Sequence, residues 1–377
     1  MLGASPTTID FRHRLPADAV LQFSEIFGSV AEDRMTDDRS PTGLGSTTIA
    51  TIAQEVGVSS ATVSKVLNGR SDVAAGTRAR VEASLERHRY RRRARRTTGE
   101  GQIDLVFHEF GSDWALEIIR GVEAVTSATQ LNVVLSQLGG AHRPPQSWVD
   151  ALIARRPLGV LLVMCNLTDQ QRQQLQRQAI PVVVVDTDSA SSASVPTVGS
   201  NNWNGGLLAT RHLLELGHRR VAIISGPPDV LCARARTAGF RCAHEELGVP
   251  VDPALVRAGN FHLDAGYTHG IELLSRPDRP TAIFAGSDLQ AMGVLRAARQ
   301  LGLDVPGDLS VVGYDNLPVA AWIGPALTTV NQPLRDMAGT ATRMLLDLAR
   351  GVALPPSRID LVAELVVRES TAPPPPT

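Results

Sequence analysis

Apolar residues along this chain recur with two different periods, and the switch between them divides it into two kinds of structure. In residues 48–56, TIATIAQEV, Ile49, Ile52, Ala53 and Val56 stand at i, i+3, i+4 and i+7, one stripe of a short helix. Gly57-Val58-Ser59 interrupts the pattern. Glycine takes the positive φ that a tight turn needs, and the Ser59 hydroxyl is suited to cap the next helix. In that helix Val63, Val66 and Leu67 face inward, while Ser60, Ala61, Ser64, Lys65 and Asn68 share the opposite side. A third helix is predicted over 77–88, around Val81 and Leu85.

From residue 101 the pattern changes to short, near-continuous apolar runs separated by helical stretches. The runs are IDLVF (103–107), LNVVLS (131–136), GVLLVM (159–164), PVVVVD (181–186), RVAIIS (220–225), TAIFAG (281–286) and LSVVGYD (309–315). Such Val/Ile/Leu content marks strands buried on both faces, hence parallel α/β sheets. Helices are predicted between them, for instance over 201–216 and 288–301. Two groups of these units imply two doubly wound lobes with a ligand cleft between them. The glutamine-rich QQRQQLQRQ (170–178) reads as a solvated helix face.

Charge sharpens the division. The chain of 377 residues is long enough for two or three domains, and its net charge is only −1. Yet residues 46–96 hold 11 basic residues against 4 acidic ones, between segments that are both acidic. A basic excess this local points to a polyanion partner. Within it lies Lys65, the only lysine in the chain. A helix, a glycine-containing turn and a second helix that opens with small polar residues form the pattern of a helix-turn-helix. Small leading residues let the helix sink into the major groove of double-stranded DNA. Lys65 is then placed to donate to guanine O6 and N7, while Ser59 and Thr62 are placed to bind phosphates.

The segment TIATIAQEVGVSSATVSKVLNG (48–69), continued by Val73, Thr77-Arg78, Val81 and Tyr90, resembles the DNA-binding signature of the lactose-repressor (LacI) family of bacterial transcription regulators. The later segments follow the family's order, so the likeness spans about 47–370. The resemblance implies that Ser60, Ala61 and Lys65 contact bases, and that Thr48, Ser59, Thr62, Ser64 and Asn68 contact the backbone or support docking. It also implies a type I periplasmic-binding-protein-like domain after the headpiece. On that pattern the first lobe runs from about 101 to 187, completed by a helix near 331–350, and the second from about 188 to 328, completed by 351–370. Two departures stand out. Ala74 replaces the serine that usually caps the third helix, a loss of about 1 kcal/mol unless the helix starts later, at Gly76 or Thr77. After Tyr90 the family's Pro, Asn and wedging leucine are missing. The stretch YRRRARRTTGE brings Arg91, Arg92, Arg93, Arg95 and Arg96 instead, suited to phosphate or minor-groove electrostatics.

In open α/β sheets ligands bind at the carboxyl ends of the strands. Asp315 in VVGYDN, Ser287-Asp288 in AGSD and Arg236 in CARARTAGF fall at or near such positions. The family grips its ligand with an arginine before one Gly-aromatic pair and an aspartate after another, which implies Arg236 and Asp315. A carboxylate and a forked guanidinium each hold two oxygens of one sugar ring; a buried structural ion pair is the alternative. Asp288 is equally a cap for the helix 288–301. Trp114, Trp203 and Trp322 are candidates to stack on a sugar face, with core or interface packing as the other reading.

Enzyme and metal signatures (GxSxG, HExxH, a P-loop, GxGxxG) do not occur, so no catalytic residue, metal or cofactor is expected. No apolar run approaches the span of a membrane helix, the N-terminus lacks the pattern of a secretory signal, and three scattered cysteines form no disulfide framework. The expectation is therefore a cytoplasmic regulator, associated with the nucleoid when bound to DNA. Its fold is an all-α helix-turn-helix headpiece (47–90), an arginine-rich hinge (91–100) and a two-lobed α/β effector domain (101–370), then a proline-rich tail (371–377). As a homodimer it would repress from a palindromic operator and be released by a sugar or short oligosaccharide. A nucleobase, nucleoside or corepressor effector is the alternative, and a solute-binding protein is one from another class. Residues 1–46 fit none of this and are expected either to be disordered or to be a wrongly assigned extension, with Met35 as the translation start.

Overall fold

The computed structural model describes residues 48–67, 73–88, 101–110, 113–129, 131–186, 195–355 and 357–375. The headpiece comprises α1 (Ile49–Val56), α2 (Ser60–Leu67) and α3 (Ala75–Arg87). Both predicted stripes are buried: Ile52, Ala53, Val63, Val66 and Val81 form the core, rimmed by Ile49, Val56, Leu67 and Leu85. Each of these valines and isoleucines contributes about 1.5–3 kcal/mol at full burial, so a core this small needs its helix ends secured. Gly57 takes φ 72° in the α1–α2 turn. The Thr62 amide donates to Ser59 Oγ at 3.1 Å, the expected cap. The expected late start of α3 is corrected here. The helix begins at Ala75, and its N-cap Ala74 offers no side-chain bond. The opposite end is tied down instead. The Glu55 carboxylate on α1 accepts from Ser84 Oγ at 3.0 Å and pairs with His88 and Arg87. Those partners, the His88 hydrogen bond foremost, hold its carboxyl below the usual range.

The larger domain runs β1 (Gly101–Phe107), α4 (Asp113–Thr126), β2 (Leu131–Gln137), α5 (Gln146–Arg155), β3 (Gly159–Val163), α6 (Asp169–Arg177), β4 (Val182–Val185) and β5 (Thr197–Ser200). It continues with α7 (Asn202–Glu215), β6 (Val221–Ser225), α8 (Leu231–Glu246), β7 (Val256–Ala258), α9 (Leu263–Leu274), β8 (Ala282–Ala285), α10 (Asp288–Gln300) and β9 (Ser310–Asp315). Last come α11 (Val319–Trp322), β10 (Thr328–Asn331), α12 (Leu334–Ala349), β11 (Arg358–Leu361) and β12 (Glu364–Val366).

These strands form two six-stranded sheets, ordered β2-β1-β3-β4-β5-β11 and β7-β6-β8-β9-β10-β12. Every pairing is parallel except β10 with β12. Six of the seven apolar runs read as doubly buried strands are so: β1 from Ile103 onward, β3, β4, β6, β8 and β9 are buried throughout. The run LNVVLS needs correction, because β2 is the edge strand of its sheet and is only partly buried, with Leu135 exposed. The predicted lobe boundaries need correction. The first lobe continues past residue 187 to β5, and β11 returns to its sheet, so only β12 and the segment after it complete the second. Among the described residues the chain thus crosses between lobes three times, at 201, at 332–333 and at 362–363. In the second lobe α7 and α8 cross at glycines. A Cβ on Gly206 would lie 2.2 Å from the Arg236 carbonyl, and one on Gly239 2.1 Å from that of Trp203. This close approach sets the depth of Arg236 on α8.

Candidate functional site

Two surfaces carry the residues singled out from the sequence. On the headpiece, Ser59, Ser60, Ala61 and Lys65 are exposed along one side of α2, with Thr62 and Ser64 half-buried beside them and Thr48 exposed ahead of α1. They share that face because Val63 and Val66 occupy the other, in the core. Asn68 and the arginines Arg91, Arg92, Arg93, Arg95 and Arg96 lie outside the described residues.

The second surface is the cleft where the strand ends of both lobes meet. Arg236 is its centre and is only 4% exposed, so its donors need protein partners. Nε donates to Asn202 Oδ1 at 2.8 Å, Nη1 to the Gly286 carbonyl at 2.5 Å, and Nη2 to Gln332 Oε1 at 3.1 Å. Asp315 Oδ1 stands 3.9 Å from Nη2. The guanidinium carbon lies 3.5 Å from the Tyr314 ring centroid, a stacked cation–π contact. From the first lobe comes Asp186, 2% exposed at the end of β4, which accepts from Gln332 Nε2 at 3.3 Å. Asp186 (φ 47°) and Asp315 (φ 110°) both turn out of their strands through left-handed backbone, as does Met164 (φ 53°) after β3. Such conformations cost non-glycine residues about 1–3 kcal/mol each and cluster at functional sites. Burial pushes the carboxyls of Asp186 and Asp315 above the ordinary range, against the pull of Arg236.

One wall of the cleft is apolar. Met164 of the first lobe packs with Val230, Cys232 and Ala233 of the second, and Trp114 and Phe261 close around them. Burial pushes the Cys232 thiol up to about 12, so it serves as a small apolar group. At the rim, His262 Nε2 lies 3.6 Å from the Glu109 carboxylate of the opposite lobe.

The structure therefore brings Arg236, Asp315 and Trp114 together, and not the other candidates. Asp288 is fully buried, accepting from Thr329 Oγ1 at 2.5 Å and the Leu317 amide at 2.7 Å. It fastens α10 to β10 and to the turn after β9 and leaves the helix cap to Ser287, whose Oγ accepts from the Gln290 amide at 3.1 Å. Ser287 Oγ is itself committed to the Phe261 carbonyl at 2.7 Å. Trp203 on α7 and Trp322 on α11 are exposed, the latter by 78%, and neither packs in the Trp114 cluster. Sequence reasoning missed Asp186, Asn202, Phe261 and Gln332. Asp186 had a signal that could have found it, since an acid ends PVVVVD as one ends VVGYD, but Gln332 follows a strand too short to notice.

A helix-turn-helix headpiece ahead of two doubly wound lobes, with a polar cleft between them, defines a DNA-binding transcription regulator. Residues 48–93 match the family described as bacterial regulatory proteins, lacI family, and residues 210–371 the periplasmic binding protein-like domain. The HTH-type transcriptional repressor PurR of Escherichia coli is 34% identical over 331 residues, which are 86% of this chain and 97% of PurR. Among solved structures, the complex of transcriptional regulator CelR with cellobiose is 34% identical, with TM-score 0.64, covering 86% of this chain and 99% of that one. The lac repressor dimer bound to operator and the anti-inducer ONPF is 26% identical, with TM-score 0.63, covering 87% and 100%. The chain belongs to the lacI family of bacterial regulatory proteins; it is a transcription regulator and not an enzyme.

Proposed function

We propose that the protein is a cytoplasmic, homodimeric repressor that leaves a palindromic operator when a neutral sugar or short oligosaccharide binds between its lobes. The observation that carries the effector class is the pairing of a dense polar network with an apolar wall. Sugar hydroxyls donate to Asp186 and Asp315 and accept from the Arg236 fork, while a ring's C–H face lies on Trp114 and Phe261. One guanidinium faces two buried carboxyls, so one proton held between them leaves the cleft neutral, and an anionic effector would be buried unpaired. The likeness to CelR, solved with cellobiose, supports this class.

On DNA, Ser60, Ala61 and Lys65 read bases, while Thr48, Ser59, Thr62, Ser64 and Asn68 engage or support the backbone. Arg91, Arg92, Arg93, Arg95 and Arg96 add phosphate contacts that make affinity fall with salt. The second copy docks at the exposed Trp322, beside a groove of about 710 Å³ lined by Met292, Leu295, Ile323 and Pro325. The equal identity to PurR supports one other effector class, a purine stacked between Trp114 and Phe261. Operator binding at two salt concentrations, with cellobiose, ribose and hypoxanthine in turn, separates the two. Release by a sugar alone fits our reading, and a response to hypoxanthine alone replaces it with the purine.

A further inference from the structure

Gln332 lies on the strap by which the chain passes from β10 in the second lobe to α12 in the first. It is 2% exposed, yet it is polar and makes no helix cap or sheet bond with its side chain. Its Oε1 accepts from Nη2 of Arg236 at 3.1 Å, and Arg236 belongs to the second lobe. Its Nε2 donates to Asp186 Oδ2 at 3.3 Å, and Asp186 belongs to the first. The sulfur of Met337 on α12 lies 3.8 Å from the same nitrogen. A guanidinium only donates and an ionised carboxylate only accepts. An amide satisfies both at once in a single orientation; turned over, it would set its NH₂ against the guanidinium and its oxygen against the carboxylate.

We propose that Gln332 is a positioning residue that wires the cleft across the lobe boundary, holding Arg236 of one lobe in register with Asp186 of the other. A change in lobe angle then alters the length of the Asp186–Gln332–Arg236 chain and the aim of the guanidinium. Conversely, an effector that fixes the guanidinium fixes the lobe angle. The strap's wiring stands by itself, and its consequence for effector rests on the reading of the cleft given above.

Gln332→Glu is the diagnostic variant. Its carboxyl still accepts from Arg236 but faces Asp186, and two carboxyls so close share one proton. The folded-state pKa of the pair is therefore raised, and stability present at low pH is lost as pH rises through it. The thermal midpoint of Gln332→Glu should fall away steeply from that of the wild type between pH 5 and 8, whereas Gln332→Leu, which only removes from Asp186 the hydrogen bond that lowers its carboxyl, should fall away less. The remaining charged neighbours (Asp315, Arg358 and Asp360) are common to all variants and cancel in these differences. Adding Asp186→Asn swaps amide and carboxylate and should flatten the Gln332→Glu gap again, a rescue that a merely space-filling residue would not show. A Gln332→Glu gap no steeper with pH than that of Gln332→Leu, or no rescue by Asp186→Asn, overturns the proposal. Calorimetric titration with cellobiose reads the consequence separately. Gln332→Leu should bind it about tenfold more weakly than the wild type, the effect of about 1.4 kcal/mol. A wild type that does not bind cellobiose counts against that effector and leaves the pH result to decide the strap.

Discussion

Lys65 stands exposed one turn into α2, on the side that Val63 and Val66 leave outward. A long donor there reaches a base edge, so Lys65→Ala should lose discrimination at one operator position by about 1–3 kcal/mol. Binding to a set of single-base operator variants checks this, and equal weakening on all of them would assign Lys65 to phosphate. Asp288 shows the opposite case, a candidate that the fold uses for itself. Burial pushes its carboxyl up to about 7, against the bonds from Thr329 and Leu317. Since the folded value lies above the unfolded one, its contribution is complete below about pH 4 and fades as pH rises through about 7. The wild type should therefore lose stability relative to Asp288→Asn as pH rises across that interval, at a slope of up to about 1.4 kcal/mol for each pH unit. Urea midpoints between pH 4 and 8 measure it; parallel curves for the two proteins would refute it.

At the scale of elements, what the sequence disclosed depended on how much apolar surface each segment buries. The long runs around Leu105, Leu161, Val184, Ile223, Phe284 and Val312 declared themselves because both faces are covered, and composition alone then suffices. β5 (TVGS), β7 (VRA), β10 (TTVN), β11 (RIDL) and β12 (ELV) have three or four residues each and little or no apolar run, so no local pattern separates them from loops. Missing β5 and β11 displaced the lobe boundary, because sheet membership there is decided by pairing partners far away in the chain. The cleft was legible only in part for the same reason. Arg236 and Asp315 sit in recognisable strings, whereas Asn202 and Gln332 gain their roles from the crossovers and Phe261 from the turn between β7 and α9. Capping is a local matter, and the gap at α3 is correctable. Ala74→Ser supplies the missing acceptor and should stabilise the headpiece by about 1 kcal/mol, seen as a raised midpoint of headpiece unfolding. No change would mean that the φ −53°, ψ 139° cap geometry already suffices. At the α7–α8 crossing the tolerance is opposite. Gly206→Ala puts a methyl against the Arg236 carbonyl and should cost about 1–3 kcal/mol, through overpacking.

For the whole molecule, two helix-turn-helix units must be spaced by a dimer to read two half-sites. Trp322, 78% exposed beside the Ile323–Pro325 groove, is the anchor we assign to that contact. Burying such an aromatic at an interface centre is worth about 2–4 kcal/mol. Trp322→Asp should thus sediment as a monomer at micromolar concentration while keeping its fold, and a dimer unchanged would move the two-fold axis elsewhere. Coupling between cleft and headpiece needs an effector that favours one lobe arrangement by about 1–3 kcal/mol. The most direct measurement is the anisotropy of a labelled palindromic operator, titrated with the wild type and with Arg236→Met, with and without cellobiose or another neutral sugar. A neutral sugar should weaken operator binding by the wild type by about 5- to 150-fold, while Arg236→Met holds the operator and does not respond. Operator binding that no neutral sugar changes, or a sugar response that survives loss of Arg236, would contradict effector-driven release through this cleft.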